Sequence, residues 1–290
     1  MIAGILKTGG ILFAASVLAF TTSLPAHGDA QFERTLHVGP GTMLHITTGA
    51  GDVRLSNGAA DSIHVVGRVK RGCGWGNWGE RPTEEQVQAI ANHPPIEQTG
   101  NIVSIGAHMH TANCLYIQYT IEAPADAQLE VSTGAGDITD NGVGQQAHLR
   151  TGSGDIRASG LTGGFSAGTG SGNIVIDSGG PGDVRASAGS GDITLRNLSG
   201  GLRATTGSGN LHASGAPRTG WYLSTGSGDI GLTLGSASFT LDAHTGSGDI
   251  RCNAGNMTEV QSSHHDFHAR IGGGGPTVEA HSGSGNIHIH

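Results

Sequence analysis

The sequence predicts an all-β protein, a parallel β-solenoid with 18–20-residue coils. Three observations predict it. One motif, Thr-Gly-Ser-Gly followed by Asp or Asn, recurs at a near-constant interval through the second half of the chain. Apolar and polar residues alternate with period two on both sides of each motif, as in strands buried on one face. Glycine fills 52 of 290 positions and interrupts every long window, so a helix there loses roughly 1 kcal/mol per glycine against alanine. A fixed interval of about twenty residues marks a stacked repeat.

The elements follow in chain order. Residues 1–28 carry a single charge, Lys7, then an apolar run from Ile11 to Phe20, then Pro25 and small residues. This is the pattern of a secretory signal peptide, and it predicts a periplasmic or secreted protein. No later apolar run reaches the length of a membrane span, so no transmembrane segment is expected after cleavage. The formal net charge is −8. Without a basic excess to displace counterions from phosphates, a nucleic-acid partner is excluded.

Residues 29–131 read as an N-terminal β region with a helix-containing insertion that caps the solenoid. An outlying motif, Thr48-Gly-Ala-Gly-Asp52, lies here. Thr83-Glu-Glu-Gln86 is a capping box, with Val87 and Ile90 apolar behind it and Pro94-Pro95 as a stop, and predicts a short helix over about 84–92. Ile102–Ile105 and Leu115–Ile121 alternate as strands. Trp75 and Trp78, in a glycine-rich run, either cover the open end of the stack or contact a ligand. Cys73 and Cys114 bracket this irregular segment and are the natural disulfide candidate in an oxidising compartment. Closing a loop of about 40 residues contributes roughly 3–4 kcal/mol in the chain-entropy model. Cys252 is left over.

Residues 132–290 hold the repeats. The last motif residues are Asp137, Asp155, Asn173, Asp192, Asn210, Asp229, Asp249 and Asn286, at spacings of 18, 18, 19, 18, 19, 20 and 37. The final gap equals two periods and predicts a coil near residue 267 that has lost its motif. Each period is expected to be a strand, a glycine turn, a second strand and a return turn. The motif hydroxyls are expected to bond the turn or the next coil, and the Asp/Asn column to form a turn ladder. Carboxylates about 4.8 Å apart repel by about 1–3 kcal/mol, and interspersed asparagines dilute that repulsion. Calcium bridging the column is the alternative.

This recurring Thr-Gly-Ser-Gly-Asp-Ile pattern behind a signal peptide resembles the bacterial putative-adhesin family of β-strand repeats, a domain family of unknown function. The resemblance covers mainly residues 130–290 and, more weakly, 35–70. It implies a β-solenoid at the cell surface and supplies no catalytic residues to carry over.

Other chemistry has less support in the residues. Gly168-Thr-Gly-Ser-Gly172 is followed by Asn173 and a strand, whereas a phosphate loop opens a helix. His264, Asp266 and His268 are placed on one strand face as weak metal candidates, as are the pairs His288/His290 and His108/His110, with zinc or copper as the ion. A glycan-processing enzyme needs two carboxylates in different environments, and a uniform Asp column singles out no such pair. The expected function is therefore a non-catalytic adhesin or envelope scaffold that needs no cofactor. Its repetitive Thr/Ser/Asp face would meet a surface glycan or envelope protein, with self-association open. A carbohydrate-active β-helix enzyme and a calcium-dependent β-roll binder are the alternatives.

Overall fold

The computed structural model describes residues 30–72, 82–106 and 114–290. The expected signal peptide, Cys73, Trp75, Trp78, His108 and His110 lie outside these residues.

The apolar alternation builds strands in chain order. They are β1 (Ala30–His37), β2 (Met43–Ala50), β3 (Val53–Asn57), β4 (Ser62–Arg71), helix α1 (Glu84–Asn92), β5 (Ile96–Thr99), β6 (Ile102–Ile105) and β7 (Leu115–Ala123). The repeats supply β8 (Gln128–Ala135), β9 (Ile138–Asn141), β10 (Gln146–Ser153), β11 (Ile156–Leu161), β12 (Gly164–Ser171), β13 (Ile174–Ser178), β14 (Val184–Ser190), β15 (Ile193–Leu198), β16 (Leu202–Ser208), β17 (Leu211–Gly215), β18 (Trp221–Ser227) and β19 (Ile230–Thr233). The last strands are β20 (Phe239–Thr245), β21 (Ile250–Cys252), β22 (Met257–Ser262), β23 (Asp266–Ile271), β24 (Thr277–Ser284) and β25 (Ile287–Ile289).

Each coil puts one strand in each of two long sheets, with the motif at the corner between them. Inward side chains of both sheets meet in one continuous apolar core. Ile138, Ile156, Ile174, Ile193, Leu211, Ile230 and Ile287 stack in register along the first sheet. In the second sheet Ala147, Phe165, Val184, Leu202 and Trp221 align, all under 5% exposed. Neighbouring inward positions are mostly alanine where these are large, which keeps the interior filled. Trp221 is wholly buried, and its indole N–H donates to the Gly200 carbonyl at 2.9 Å.

Coil order in space departs from coil order in sequence at both ends. Among the described residues there are ten rungs: β6/β7, β2/β3, then β8/β9 through β18/β19 in sequence, then β24/β25 and finally β20/β21. Rungs about 4.8 Å apart make a stack about 43 Å long. The last motif therefore sits between the two that precede it in sequence. Residues near 267 do not form a motif-less coil. They form the antiparallel strands β22 and β23, which extend the second sheet beyond β20. The reason is local: positive φ at Gly272, Gly273 and Gly274 reverses the chain and returns β24 between β18 and β20. At the other end β1, β4 and β7 pair antiparallel, and β5 adds to β6. The sheets run across the expected division between residues 131 and 132, which falls inside β8. Helix α1 has the predicted capping box, Thr83 Oγ1 accepting from Gln86 N and Gln86 Oε1 accepting from Thr83 N, and it packs on β1 and β4 with Val87 buried.

Candidate functional site

The repeated corner is the dominant chemical feature, and each of its residues has a distinct place. The Thr side chain points inward. Its hydroxyl donates to a glycine carbonyl of the adjacent rung, as Thr151 to Gly136, Thr169 to Gly154, Thr206 to Gly191 and Thr225 to Gly209, all at 2.9–3.0 Å. Thr133, Thr225 and Thr245 are at most 5% exposed. The expected Thr/Ser/Asp face therefore loses its threonines, because period-two alternation puts Thr on the core side. Ser153, Ser171, Ser190, Ser208, Ser227 and Ser284 are exposed and in register, so the serine row is what the corner presents.

The glycines are required by stacking. A Cβ on Gly226 would stand 2.6 Å from the Gly207 carbonyl oxygen. Gly228 has φ +141, and a Cβ there would run into the Gly209 carbonyl.

The Asp/Asn residues form a hydrogen-bonded ladder. The Oδ1 of each accepts from the backbone N–H of its neighbour in the order Asp52, Asp137, Asp155, Asn173, Asp192, Asn210, Asp229, Asn286, Asp249, with all eight bonds between 2.7 and 3.2 Å. One oxygen of each carboxylate or amide is thus held by a backbone donor. From Asp155 to Asp249 the column alternates strictly between Asp and Asn. In sequence Asp229 and Asp249 are consecutive, and it is the inserted Asn286 that separates them. Asp52, Asp137 and Asp155 have no intervening asparagine. There Arg157 reaches Asp155 at 2.7 Å and Asp137 at 3.8 Å, and Arg54 reaches Asp52 at 3.1 Å.

The histidine candidates separate. His264 lies in the turn before β23, edge-on to His265, while Asp266 and His268 begin on the outer face of the strand. Asp266 pairs instead with His244 of the neighbouring strand, Nδ1 to Oδ1 at 2.6 Å. The His244 and Ser263 hydrogen bonds hold the Asp266 carboxyl below the usual range. Among the described residues no group of three or more metal-ligating side chains is close enough to hold one ion. Cys252 is a free, half-buried thiol whose pKa burial pushes up.

One residue escaped the motif-based reading. Asp140 is fully buried on β9, aligned with Leu55 and Ala158 of the neighbouring rungs. Its Oδ1 accepts from Val143 N at 3.0 Å, and its Oδ2 has no partner. Burial raises its pKa to about 7. The signal was present in the sequence: where the other repeats put Leu, Ile, Ala or Cys two residues after the motif's apolar residue, this one puts Asp.

The model of the Toastrack family DUF4097 matches residues 98–290, about two thirds of the chain. The chain belongs to that family. The Toastrack match starts at β5 and β6 and takes in all the later rungs, including the inserted one. Solved structures similar to this Toastrack chain include a putative adhesin from Bacteroides fragilis, with 12% identity, 90% of this chain and 97% of that one covered, and a TM-score of 0.47. A putative cell adhesion protein from Clostridium sporogenes has 13% identity, 89% and 98% coverage and a TM-score of 0.26. A putative adhesin from Parabacteroides distasonis has 13% identity, 90% and 97% coverage and a TM-score of 0.34. No curated protein matches the sequence.

Proposed function

We propose that this protein is an exported, non-catalytic adhesin or envelope scaffold whose stack presents one row of identical groups to a surface glycan or envelope protein. The observation that carries the reading is the corner ladder, in which exposed serine hydroxyls recur on each rung from Ser153 onward and the second oxygens of the aspartates on every second one. Identical weak contacts at rigid, equal spacing add avidity without any strong single site. The ladder also speaks against glycan cleavage. Its carboxylates share one environment, whereas hydrolysis needs a protonated and an ionised carboxyl facing one cleft. Asp140, the carboxyl with the raised pKa, is closed off inside the core. The signal-peptide pattern of residues 1–28 supports export, and the Cys73–Cys114 bridge belongs to the same proposal.

The test is to shorten the rod. Deleting residues 164–200 removes two rungs, takes out Asn173 and Asp192 together, and leaves Asp155 beside Asn210, so the alternation survives. Binding of the full and shortened chains to immobilised surface polysaccharide and to whole envelopes is then compared. Avidity that falls several-fold with the lost rungs supports the proposal. Equal binding by both chains, or no binding by either, overturns it.

A further inference from the structure

A second kind of site lies on the outer face of the first sheet. The outward position after each motif isoleucine is held by Thr194, His212, Gly231 and His288 on successive rungs. Gly231 has no side chain to fill its place, and a cavity of about 520 Å³ opens there. That volume is in the range of small-molecule sites. His212, His288, His290 and Arg196 line it, with the hydroxyls of Thr194 and Thr233. His212 leans over the glycine, because a Cβ on Gly231 would stand 2.6 Å from His212 Nδ1.

The trough gathers basic side chains that no acid neutralises. Elsewhere on the surface four histidines are matched to acids: His45 with Glu130, His64 with Glu33, His244 with Asp266, His281 with Glu279. Arg54, Arg157, Arg251 and Arg270 are matched likewise. Among the described residues His212, His288, His290 and Arg196 have no ion-pair partner, in a chain of net charge −8. The acid that lines the cavity, Asp229, already accepts the Asn286 N–H through Oδ1 at 2.7 Å. Around it, Asp177 aligns with Arg196 but accepts from Asn197, and Arg251 aligns with His288 while reaching Asp249.

We propose that this trough binds a carboxylate-bearing saccharide, a uronic acid unit, with Arg196 and the imidazoles of His212 and His288 on the carboxylate and the threonine hydroxyls on the sugar. Arg offers a planar fork that fits a carboxylate, and His212, leaning over Gly231, brings its imidazole toward the rung of His288. The site occurs once in the stack and a short soluble sugar reads it alone, so its failure and that of the multivalent ladder are separate results.

The experiment is calorimetric titration of the chain with a trigalacturonate, beside the neutral trisaccharide of the same linkage and inorganic sulfate. Saturable binding at one site per chain is expected, at least tenfold tighter than either control. Arg196→Gln and the double variant His212→Gln/His288→Gln should each weaken it at least tenfold with an unchanged melting temperature. Gly231→Val, which fills the floor and displaces His212, should abolish it. No saturable heat, equal affinity for the neutral sugar or for sulfate, or undiminished binding by these variants would overturn the proposal.

Discussion

The two ends of the corner ladder handle the same electrostatic problem differently. Toward the amino-terminal end Asp52, Asp137 and Asp155 stack directly, and Arg54 and Arg157 lie across them. From Asp155 onward every second residue is Asn, and no arginine is needed between rungs. The first arrangement adds side chains outside the stack, whereas the second changes the stack itself. The comparison explains the position of the last motif. Were coils stacked in sequence order, Asp229 and Asp249 would be neighbours; insertion of β24 and β25 places Asn286 between them and completes the alternation.

Four substitutions probe that contrast. The largest loss is expected from Gly228→Val in the alternating region, where both the positive φ and the Gly209 carbonyl oppose a side chain. It should cost about 4 kcal/mol or more in urea unfolding, and a loss under 1 kcal/mol would contradict the packing. The amino-terminal region also carries a charge inside, and Asp140→Asn should stabilise the protein by roughly 3–4 kcal/mol at pH 8. The sign follows from the raised folded-state pKa. Below about pH 4 both states are protonated and Asp140 costs nothing. Between about pH 4 and pH 7 the unfolded chain releases its proton first, so stability falls as pH rises, and above pH 7 the full cost persists. The variant should lack that slope between pH 4 and pH 7; an identical slope would remove Asp140 as its cause.

Asn286→Asp puts three carboxylates in a row where no arginine bridges the rungs. It should lower stability by about 2 kcal/mol at neutral pH and low salt, with recovery in 1 M salt. A salt-independent loss would point to packing instead. Arg157→Gln, on an exposed side chain, should cost only about 0.5–1 kcal/mol, and a chemical-denaturation series in salt would show it vanish. If Arg157→Gln proved costlier than Asn286→Asp, the ranking of the two devices would be reversed.

Much of this was readable from the residues. The motif spacing set the rungs, period-two alternation set the core columns, and Thr83 with Gln86 set the helix. Three things were not. The alternation itself says that Thr225 faces inward, but the hydroxyl chemistry of Thr and Ser is alike and drew both to one face. The order of the rungs depends on which strand edge the returning chain meets, and spacings of 20 and then 37 fit either a lost coil or an excursion. The run Gly272–Gly275 was the available hint of the excursion. The histidine sites depended on cross-strand register: Asp266 meets His244, twenty-two residues away, rather than its own neighbours.

The most direct measurement tests the inserted rung. With Cys252 replaced by Ser, cysteine pairs are introduced at Ser227/Ser284, which are register partners on β18 and β24, and at Ser227/Ser247, which belong to motifs consecutive in sequence but two rungs apart. A disulfide requires Cα atoms within about 7 Å. Mild oxidation should cross-link the first pair rapidly and leave the second pair as free thiols. Cross-linking of the second pair instead of the first would show that the coils stack in simple sequence order, and the alternating ladder would not exist.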